Sequence, residues 1–435
     1  MNNKAFGLLC ACMLSLTLSQ AQEQLTLQQA LDLALKNNYS ITIARNQSDI
    51  ARNDATYGNA GMLPQLFLAA SGNLGVVNTH QVYASGLEVQ KPGVQSTSLS
   101  AGPQINWVLF DGLRMFATYD KLKELRDMGE INAKIMIENT IAKIIDAYYD
   151  VVRQKELQKA LDEAIAIYQE RVNIAETKSR IGSGSEADVL QARVDLNEQK
   201  SALLRQKVLI LNAKTNLNLQ LSRDSYAEFD VNDSIVITYK PRFEELKTTA
   251  VKENKGLLFA EKNVKVANYA LKEVTAQRYP YLAVNAGYAY SRSTNSAGFV
   301  LLNQNLGFNA GFTASWNIFN GGNVNRMVRD AQIVSLNNEL QYKEIRNEVE
   351  SGLITAFNNY QNAMETLKLE EDNIQLARSN VNINLERFRL GYVTSLQLKD
   401  AQKSFIDAEG RLVSARYDAK VAETELMRLN GALVK

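Results

Sequence analysis

Few side chains in this sequence belong to types that perform acid–base, thiol or metal chemistry. The 435 residues include one histidine, His80, which excludes most catalytic triads, His-based acid–base schemes and zinc sites. An exposed loop position is the simpler interpretation of this residue. The only two cysteines, Cys10 and Cys12, lie in an amino-terminal apolar segment. If that segment is removed, the mature chain has no thiol, and disulfides, thiol nucleophiles and cysteine-bound metals are excluded.

Carboxylates are plentiful, but their pattern does not indicate catalysis. The 47 Asp and Glu residues are balanced by 48 Lys and Arg residues, so no net charge marks a nucleic-acid binder. No carboxylate pair is set apart by an apolar pocket or by strict spacing, as acid–base catalysis requires. The glycines at 182–184 lack the preceding strand and the GK[ST] ending of a phosphate loop. The sequence therefore predicts no enzyme, no cofactor and no metal site.

The amino-terminal segment predicts export. It contains one lysine, an apolar run over 5–18 and a small residue at Ala21, so we expect a signal peptide over 1–21. Lipid attachment at Cys10 or Cys12 is the alternative, although neither cysteine follows a convincing small-residue motif. No later run of about 18 apolar residues occurs, so no transmembrane helix is predicted.

The rest of the chain contains an internal duplication. An offset of 216 positions relates Pro64 to Pro280, and an offset of 209 relates the only two tryptophans, Trp107 and Trp316. The same two offsets relate further pairs: Ala34 and Ala250, Asn38 and Asn254, Ala44 and Ala260, Phe110 and Phe319, Gly112 and Gly321, Gly182 and Gly391. The change in offset is confined to one segment, as expected of a loop. We predict two structural repeats, 22–221 and 242–435, joined by a linker over 222–241.

Each repeat is predicted to begin and end with helices. The opening helices are LTLQQALDLALKNN, with Thr26 as N-cap, and FEELKTTAVKEN, and each is expected to run to a proline. The segments 112–181 and 321–390 contain no proline and would form helices roughly 100 Å long. Shorter helices are predicted at 185–221 and 394–431. Narrow apolar stripes on these helices favour lateral, coiled-coil-like packing, and one such stripe on the first long helix comprises Ile131, Ile135, Ile145, Tyr149 and Val152.

Between each proline and each long helix, apolar and polar residues alternate with a period of two. This alternation predicts strands at 64–76, 98–110, 280–291 and 305–319. Short alternating strands are typical of outer-membrane β-barrels, and a soluble two-sheet domain is the alternative. Four tilted strands cannot close a cylinder, and unpaired edges are costly in hydrocarbon, so several chains must complete it. Three chains would supply twelve strands and leave a polar lumen.

Two matching phrases join the second strand of each pair to the following long helix. They read NWVLFDGLR at 106–114 and SWNIFNGGN at 315–323. Tryptophan is favoured where hydrocarbon meets water, and glycine where the backbone changes direction. We therefore assign the membrane interface to Trp107, Phe110, Gly112, Trp316, Phe319 and Gly321. A core tryptophan beside a tight turn is the alternative.

The two predicted helical hairpins carry their own turn signals. In RIGSGSEADV we expect Gly182 at the C-cap and Ser183 at the next N-cap, in a capping box with Glu186. In RLGYVTSLQL we expect Gly391 and Thr394 to have the corresponding roles.

These features together resemble the TolC-like outer-membrane factors, the outer membrane efflux protein family. The resemblance covers the whole mature chain and rests on LTLQQALDLALKNN, the doubled layout, the LFDG and IFNGG junctions, and the RIG…ADVLQA and RLG…LQLKDA hairpins. It implies an α+β membrane protein, a homotrimer with a twelve-stranded outer-membrane β-barrel continued by a long periplasmic α-helical barrel. The implied function is the exit channel of a tripartite efflux or type I secretion system. The alternative is a periplasmic coiled-coil spacer or adaptor without a barrel.

The resemblance also implies partners and their sites. A periplasmic adaptor (membrane fusion protein) would connect the channel to an inner-membrane pump of the resistance-nodulation-division or ABC type. The adaptor would dock on the hairpin tips at Arg180, Ile181, Gly182, Ser183, Arg389, Leu390, Gly391 and Tyr392. The periplasmic constriction matches Gln397 and Asp400, of which only Asp400 is acidic. A solvated helix face is an equal interpretation of Asp400, and Asp188 is expected to support a helix start.

Overall fold

The computed structural model describes residues 23–231, 234–297 and 300–433, so the predicted signal peptide with Cys10 and Cys12 lies outside the described residues. The chain divides into two compact units, each made of discontinuous segments. The helical unit comprises residues up to Ala44, Ala133–Lys255 and the residues from Arg346 onward. The sheet unit comprises Arg45–Asn132 and Gly256–Ile345.

The elements follow the same order in both halves of the chain. The first half contains β1 (Glu23–Gln24), α1 (Leu27–Asn37), α2 (Tyr39–Asp54), β2 (Gln65–Val82), β3 (Glu88–Phe110), α3 (Arg114–Arg180), α4 (Glu186–Gln220) and β4 (Phe229–Asp230). The second half contains α5 (Phe243–Glu253), α6 (Lys255–Thr275), a 3₁₀ turn (Ala276–Arg278), β5 (Tyr281–Asn295), β6 (Leu302–Ser315), α7 (Asn323–Leu390) and α8 (Ser395–Leu429). Among the described residues, no helix is both long and apolar enough to cross a bilayer.

The sequence predicted that the opening helix of each repeat runs to its proline. In the structure these helices end earlier, at Asn37 and Glu253. Thr26 does cap α1, in a capping box with Gln29. The helix then breaks at Asn38, whose Oδ1 accepts hydrogen bonds from the backbone N–H groups of Ser40 and Ile41 and starts α2. An asparagine side chain can replace the helical carbonyl as acceptor, and this favours a new helix start.

The duplicated asparagines also donate hydrogen bonds to matching backbone carbonyls at the other end of each repeat. The Asn38 Nδ2 donates to the Gln220 carbonyl oxygen at 2.8 Å, and the Asn254 Nδ2 donates to the Leu429 carbonyl oxygen at 3.0 Å. Gln220 and Leu429 are themselves 209 positions apart. Each repeat therefore ties its opening helix to the end of its own last helix.

One hydrophobic cluster of the helical unit forms where α3 packs against α1, α4 and the short strands. Ile145, Tyr149 and Val152, from the predicted apolar stripe, are buried in this cluster. Tyr148 is fully buried, and its hydroxyl donates to the Leu25 carbonyl oxygen at 3.0 Å. The hydroxyl thus has the partner that a buried tyrosine requires.

The four long strands form one antiparallel sheet in the order β2-β3-β5-β6. Strands β2 and β3 extend beyond the predicted 64–76 and 98–110, because their hairpin continues as far as the Val82–Glu88 pair. Strand β6 is shorter than the predicted 305–319 and ends at Ser315, which pairs with Tyr281. The next residue on the partner side is Pro280, which has no N–H to continue the ladder. Trp316 and Phe319 therefore lie outside the strand.

Candidate channel wall, junctions and hairpin tips

The sheet has one apolar face and one small or polar face, as the alternation predicted. Residues paired directly across antiparallel strands lie on the same face. One row across the sheet is Leu66, Ile105, Ala286 and Ala310, and another is Asn73, Ser98, Ser293 and Asn303. On the apolar face Leu68 is 79 % and Phe312 75 % exposed. Such a large exposed apolar surface needs to be covered by a hydrophobic partner or by a hydrophobic solvent.

The two tryptophans make the same hydrogen bond in the two repeats. The Trp107 Nε1 donates to the Met62 carbonyl oxygen, and the Trp316 Nε1 donates to the Arg278 carbonyl oxygen, both at 3.0 Å. Each acceptor lies two residues before the proline that opens the strand pair. The rings are 43 % and 61 % exposed, so the alternative of core tryptophans is wrong. An exposed ring with a satisfied N–H suits a hydrocarbon–water boundary.

The glycines of the junctions adopt the left-handed backbone that the turn requires. Gly112 has a φ of 75°, and a Cβ there would lie 2.3 Å from the Ala276 carbonyl oxygen. Gly321 has a φ of 70°, and a Cβ there would meet only the Asn323 side chain, at 4.0 Å. Phe110 is the last residue of β3, whereas Phe319 is 84 % exposed in the connection after β6.

The residue before each junction glycine starts the long helix that follows. Asp111 accepts from the Met115 N–H at 3.1 Å, and Asn320 accepts from the Val324 N–H at 3.4 Å through its Oδ1. Both bonds satisfy an N–H that has no partner within the helix. The pairs Asp111/Asn320 and Met115/Val324 obey the 209-residue offset.

Both hairpin tips end their long helix with the same backbone motif. In the first, the Ser183 N–H donates to the Lys178 carbonyl at 2.9 Å around Gly182, whose φ is 77°. In the second, the Tyr392 N–H donates to the Arg387 carbonyl at 2.8 Å around Gly391, whose φ is 86°. This pattern, with a left-handed glycine, is the Schellman motif.

The predicted capping residue of the first tip is wrong, and that of the second is confirmed. Ser185, not Ser183, caps α4 by accepting from the Ala187 N–H, because the Gly184 N–H also donates to Lys178 and lengthens the turn. Glu186 is therefore the first residue of the helix and forms no capping box. Thr394 caps α8 in a capping box with Gln397.

The tip side chains differ in how strongly they are already paired. Arg389 forms ion pairs with Glu170 at 2.7 Å and with Glu386 at 3.0 Å. Among the described residues, the one side-chain partner of Arg180 is the Thr177 hydroxyl, at a long hydrogen-bond distance of 3.4 Å. The exposed apolar side chains at the tips are Ile181, Leu390 and Tyr392.

The two residues assigned to the constriction have unlike surroundings. The Oε1 of Gln397 accepts from the Thr394 N–H at 2.9 Å, so this side chain is occupied in capping α8. Asp400 is exposed, and no described residue forms an ion pair with it. Asp188 lies in the first turn of α4, where a negative charge stabilises the helix.

A family model described as "Outer membrane efflux protein" matches residues 30–221 and 246–432. The chain belongs to the outer membrane efflux protein family. It is 24 % identical over 435 residues to the outer membrane protein TolC of Vibrio cholerae, covering 96 % of this chain and 93 % of that protein. It is 20 % identical over 425 residues to the outer membrane efflux protein BepC of Brucella suis, covering 97 % and 89 %.

Solved structures share the fold of this efflux protein. The outer-membrane channel OprN gives a TM-score of 0.78 at 18 % identity, covering 93 % of this chain and 90 % of that one. The outer membrane protein VceC from Vibrio cholerae gives a TM-score of 0.76 at 18 % identity, covering 93 % and 96 %. The protein is thus a non-enzymatic efflux exit channel of the outer membrane. The alternative of a spacer without a barrel is not favoured.

Sequence reasoning missed a buried ion pair that this efflux protein carries between its helices. Arg171 on α3 is 1 % exposed and donates to the Asp195 carboxylate of α4 at 2.9 Å. From α8, Ser395 and Gln402 accept from the Arg171 guanidinium, and Lys399 donates to Asp195 at 2.9 Å. Burial acts to raise the pKa of Asp195, but the bond from Lys399 and the charge of Arg171 outweigh it, so the pKa lies below its ordinary value.

A second feature missed by sequence reasoning is a pair of neighbouring carboxyls between α3 and α8. Burial raises the pKa of Asp146 to about 6, and the charge of Glu425 acts in the same direction. In the part of the chain that the structure describes, the Asp146 Oδ1 finds no hydrogen-bond partner. These residues are 279 positions apart, so no local spacing could have indicated them. Within the described ranges, no group of three His, Cys, Asp or Glu residues could hold a metal ion.

Proposed function

We propose that three copies of this efflux protein close a twelve-stranded barrel and form a passive conduit across the outer membrane. The open edges of the sheet carry this proposal. Within the described residues, β2 pairs only with β3, and β6 pairs only with β5. In hydrocarbon each unpaired backbone group costs several kcal/mol, so these edges require partners. Because β2 and β6 run in opposite directions, β6 of one copy can extend the antiparallel order with β2 of the next.

Three copies fit the sheet better than two. Eight strands would make a barrel whose interior is filled by side chains, whereas twelve leave room for a lumen. The polar face of the sheet, with Asn73, Ser98 and Asn303, would then line this lumen. The membrane–periplasm boundary would lie at the junction residues Trp107, Phe110, Gly112, Trp316, Phe319 and Gly321.

The helical unit also exposes apolar stripes that further copies would cover. Helix α4 exposes Leu204, Val208 and Leu211, and α7 exposes Leu369, Leu376 and Ile383 at intervals of seven residues. Seven-residue spacing is typical of helices that pack side by side in coiled coils. Packing of α4 from one copy against α7 of the next would form a ring of helices.

Engineered disulfides test the trimer, since the mature chain has no cysteine of its own if the signal peptide is removed. Ala70→Cys on β2 is combined in turn with Phe308→Cys, Ala310→Cys or Phe312→Cys on β6. We expect at least one pair to give covalent dimers and trimers on oxidation, seen by electrophoresis. The control pairs Ala70→Cys with Ala101→Cys, its directly paired residue on β3, and should give only an intrachain bond. Crosslinks that never exceed a dimer, or none with any pair, would contradict the trimer.

We further propose that the hairpin tips dock a periplasmic adaptor, a membrane fusion protein linked to an inner-membrane pump of the resistance-nodulation-division or ABC type. Arg180, Ile181, Leu390 and Tyr392 supply an exposed basic and apolar surface for it. The pump would provide the energy, and Asp400 would face the periplasmic constriction. A tripartite efflux pump and a type I secretion system both fit this arrangement.

Charge reversal at the two tips separates docking from tip stability. Arg180→Glu is expected to weaken adaptor affinity about fivefold, whereas Arg389→Glu has a smaller direct effect because Arg389 already pairs with Glu170 and Glu386. Photo-crosslinking from position 181 to the adaptor measures the contact. Gly182→Pro is the positive control, because proline cannot adopt the φ of 77° found there. Unchanged crosslinking and affinity in Arg180→Glu would remove the tip assignment.

A further inference from the structure

One basic side chain lies on the four-stranded part of the sheet, which is otherwise uncharged. Over 65–77, 94–110, 281–295 and 302–315, Arg292 is the only Lys, Arg, Asp or Glu. Arg292 pairs with Leu99 on one side and with Gln304 on the other, so it shares the face of Leu99. Leu99 belongs to the apolar face that the proposed function turns towards lipid. No described residue forms an ion pair with Arg292.

Arg292 lies near the edge of the membrane opposite the tryptophans. It is eight residues along β5 from Val284, which pairs with Trp107. At about 3.3 Å per residue and a tilt of about 40°, this separation corresponds to about 20 Å of height. The apolar band of such barrels is about 25 Å tall. A lipid-facing arginine is costly at the midplane but almost free of cost near an interface, so this depth tolerates the charge.

The polar groups around Arg292 on this face are neutral. Tyr290 and Thr294, two residues to either side, lie on the same face of β5. The Gln304 Nε2 donates to the Tyr290 hydroxyl at 3.1 Å. Thr97 pairs with Thr294 on this face. The cluster therefore offers one guanidinium, one amide and several hydroxyls, with no carboxylate to neutralise the cation.

We infer that Arg292, supported by Gln304, binds the phosphate headgroup of an anionic lipid in the outer leaflet, one site per chain. A guanidinium matches the oxygens of a phosphate with two parallel hydrogen bonds. On a lipid-facing surface at headgroup depth, the available anions are lipid phosphates. The inference rests on the proposed membrane orientation of the sheet.

The test measures lipid binding to the intact detergent-solubilised channel by native mass spectrometry. The probes are diphosphorylated lipid A, the same lipid without its phosphates, and inorganic phosphate. Wild-type protein should bind lipid A up to one molecule per chain and prefer it to the dephosphorylated lipid. Arg292→Gln should weaken lipid A binding about fivefold, since a basic residue near an anionic surface contributes about 1 kcal/mol. Lys91→Gln, in the hairpin beyond the pairing with β5, is the matched control and should bind as wild type.

Three outcomes would overturn the inference: unchanged lipid A affinity in Arg292→Gln, an equal loss in Lys91→Gln, or displacement of lipid A by equimolar inorganic phosphate. The last would identify a site for free phosphate rather than for a lipid. Conductance in planar bilayers is measured on the same preparations. A conducting Arg292→Gln channel with unchanged lipid affinity contradicts only the lipid site, whereas wild-type protein without conductance contradicts the proposed function.

Discussion

Leu68→Arg is expected to reduce the amount of assembled channel in the outer membrane at least tenfold. Leu68 lies on the apolar face, is 79 % exposed, and pairs with Pro103, four residues along β3 from Trp107. This places it about 10 Å from the tryptophan level, close to the middle of an apolar band about 25 Å tall. An arginine there costs about 2–4 kcal/mol per chain, and the cost recurs in every copy. Immunoblotting of outer-membrane fractions measures the result.

Two matched arginine variants show whether the effect depends on the depth of the residue in the membrane and on the face of the sheet that it occupies. Ser71→Arg places the charge on the opposite, polar face of the same strand and should leave outer-membrane levels within about threefold of wild type. Val284→Arg is on the apolar face but pairs with Trp107, so it should cost only about 0–1 kcal/mol. Equal levels of all three variants would show that the apolar face does not meet lipid.

Asp195→Ala is expected to destabilise the α3–α4 hairpin by about 3–5 kcal/mol. The substitution leaves the Arg171 guanidinium, which is 1 % exposed, without its charge partner. Amide hydrogen exchange in this hairpin should accelerate about a hundredfold or more if exchange occurs through local opening. Glu176→Ala removes the exposed Arg193–Glu176 pair between the same two helices and serves as the control. Exposed pairs contribute about 0–1 kcal/mol, so similar acceleration in both variants would contradict a stabilising buried pair.

The Asp195 pair also has a defined pH dependence. Because the pKa of Asp195 is lowered in the folded protein, its contribution to stability is fully present above the ordinary aspartate pKa. It is lost as the pH falls through the lowered pKa. After correction for intrinsic exchange rates, the pair should therefore cause little change in the free energy of opening of the wild-type hairpin between pH 7 and pH 5. In Asp195→Ala, this site should cause no loss of stability on acidification.

Local features of the fold could be predicted because they depend on residues a few positions apart. The caps at Thr26 and Thr394 follow from the spacing to Gln29 and Gln397. The two-faced strands follow from strict alternation. The local signal was ambiguous at the first tip, and the prediction of the cap at Ser183 was wrong. The N–H groups of Ser183 and Gly184 both donate to the Lys178 carbonyl, so the next helix is capped two residues later.

The duplication, the long helices, the alternating strands and the turn glycines could all be recognised in the sequence, and they indicated the family. Which distant groups meet became visible only in the folded chain. The tertiary structure showed that the Trp107 indole bonds to the Met62 carbonyl, that Arg171 is buried against Asp195, and that β6 ends opposite Pro280. The order of the strands, which leaves β2 and β6 open, was likewise visible only in the folded chain. Periodicity and capping arise from the geometry of neighbouring residues, whereas contacts between distant segments depend on how whole elements pack.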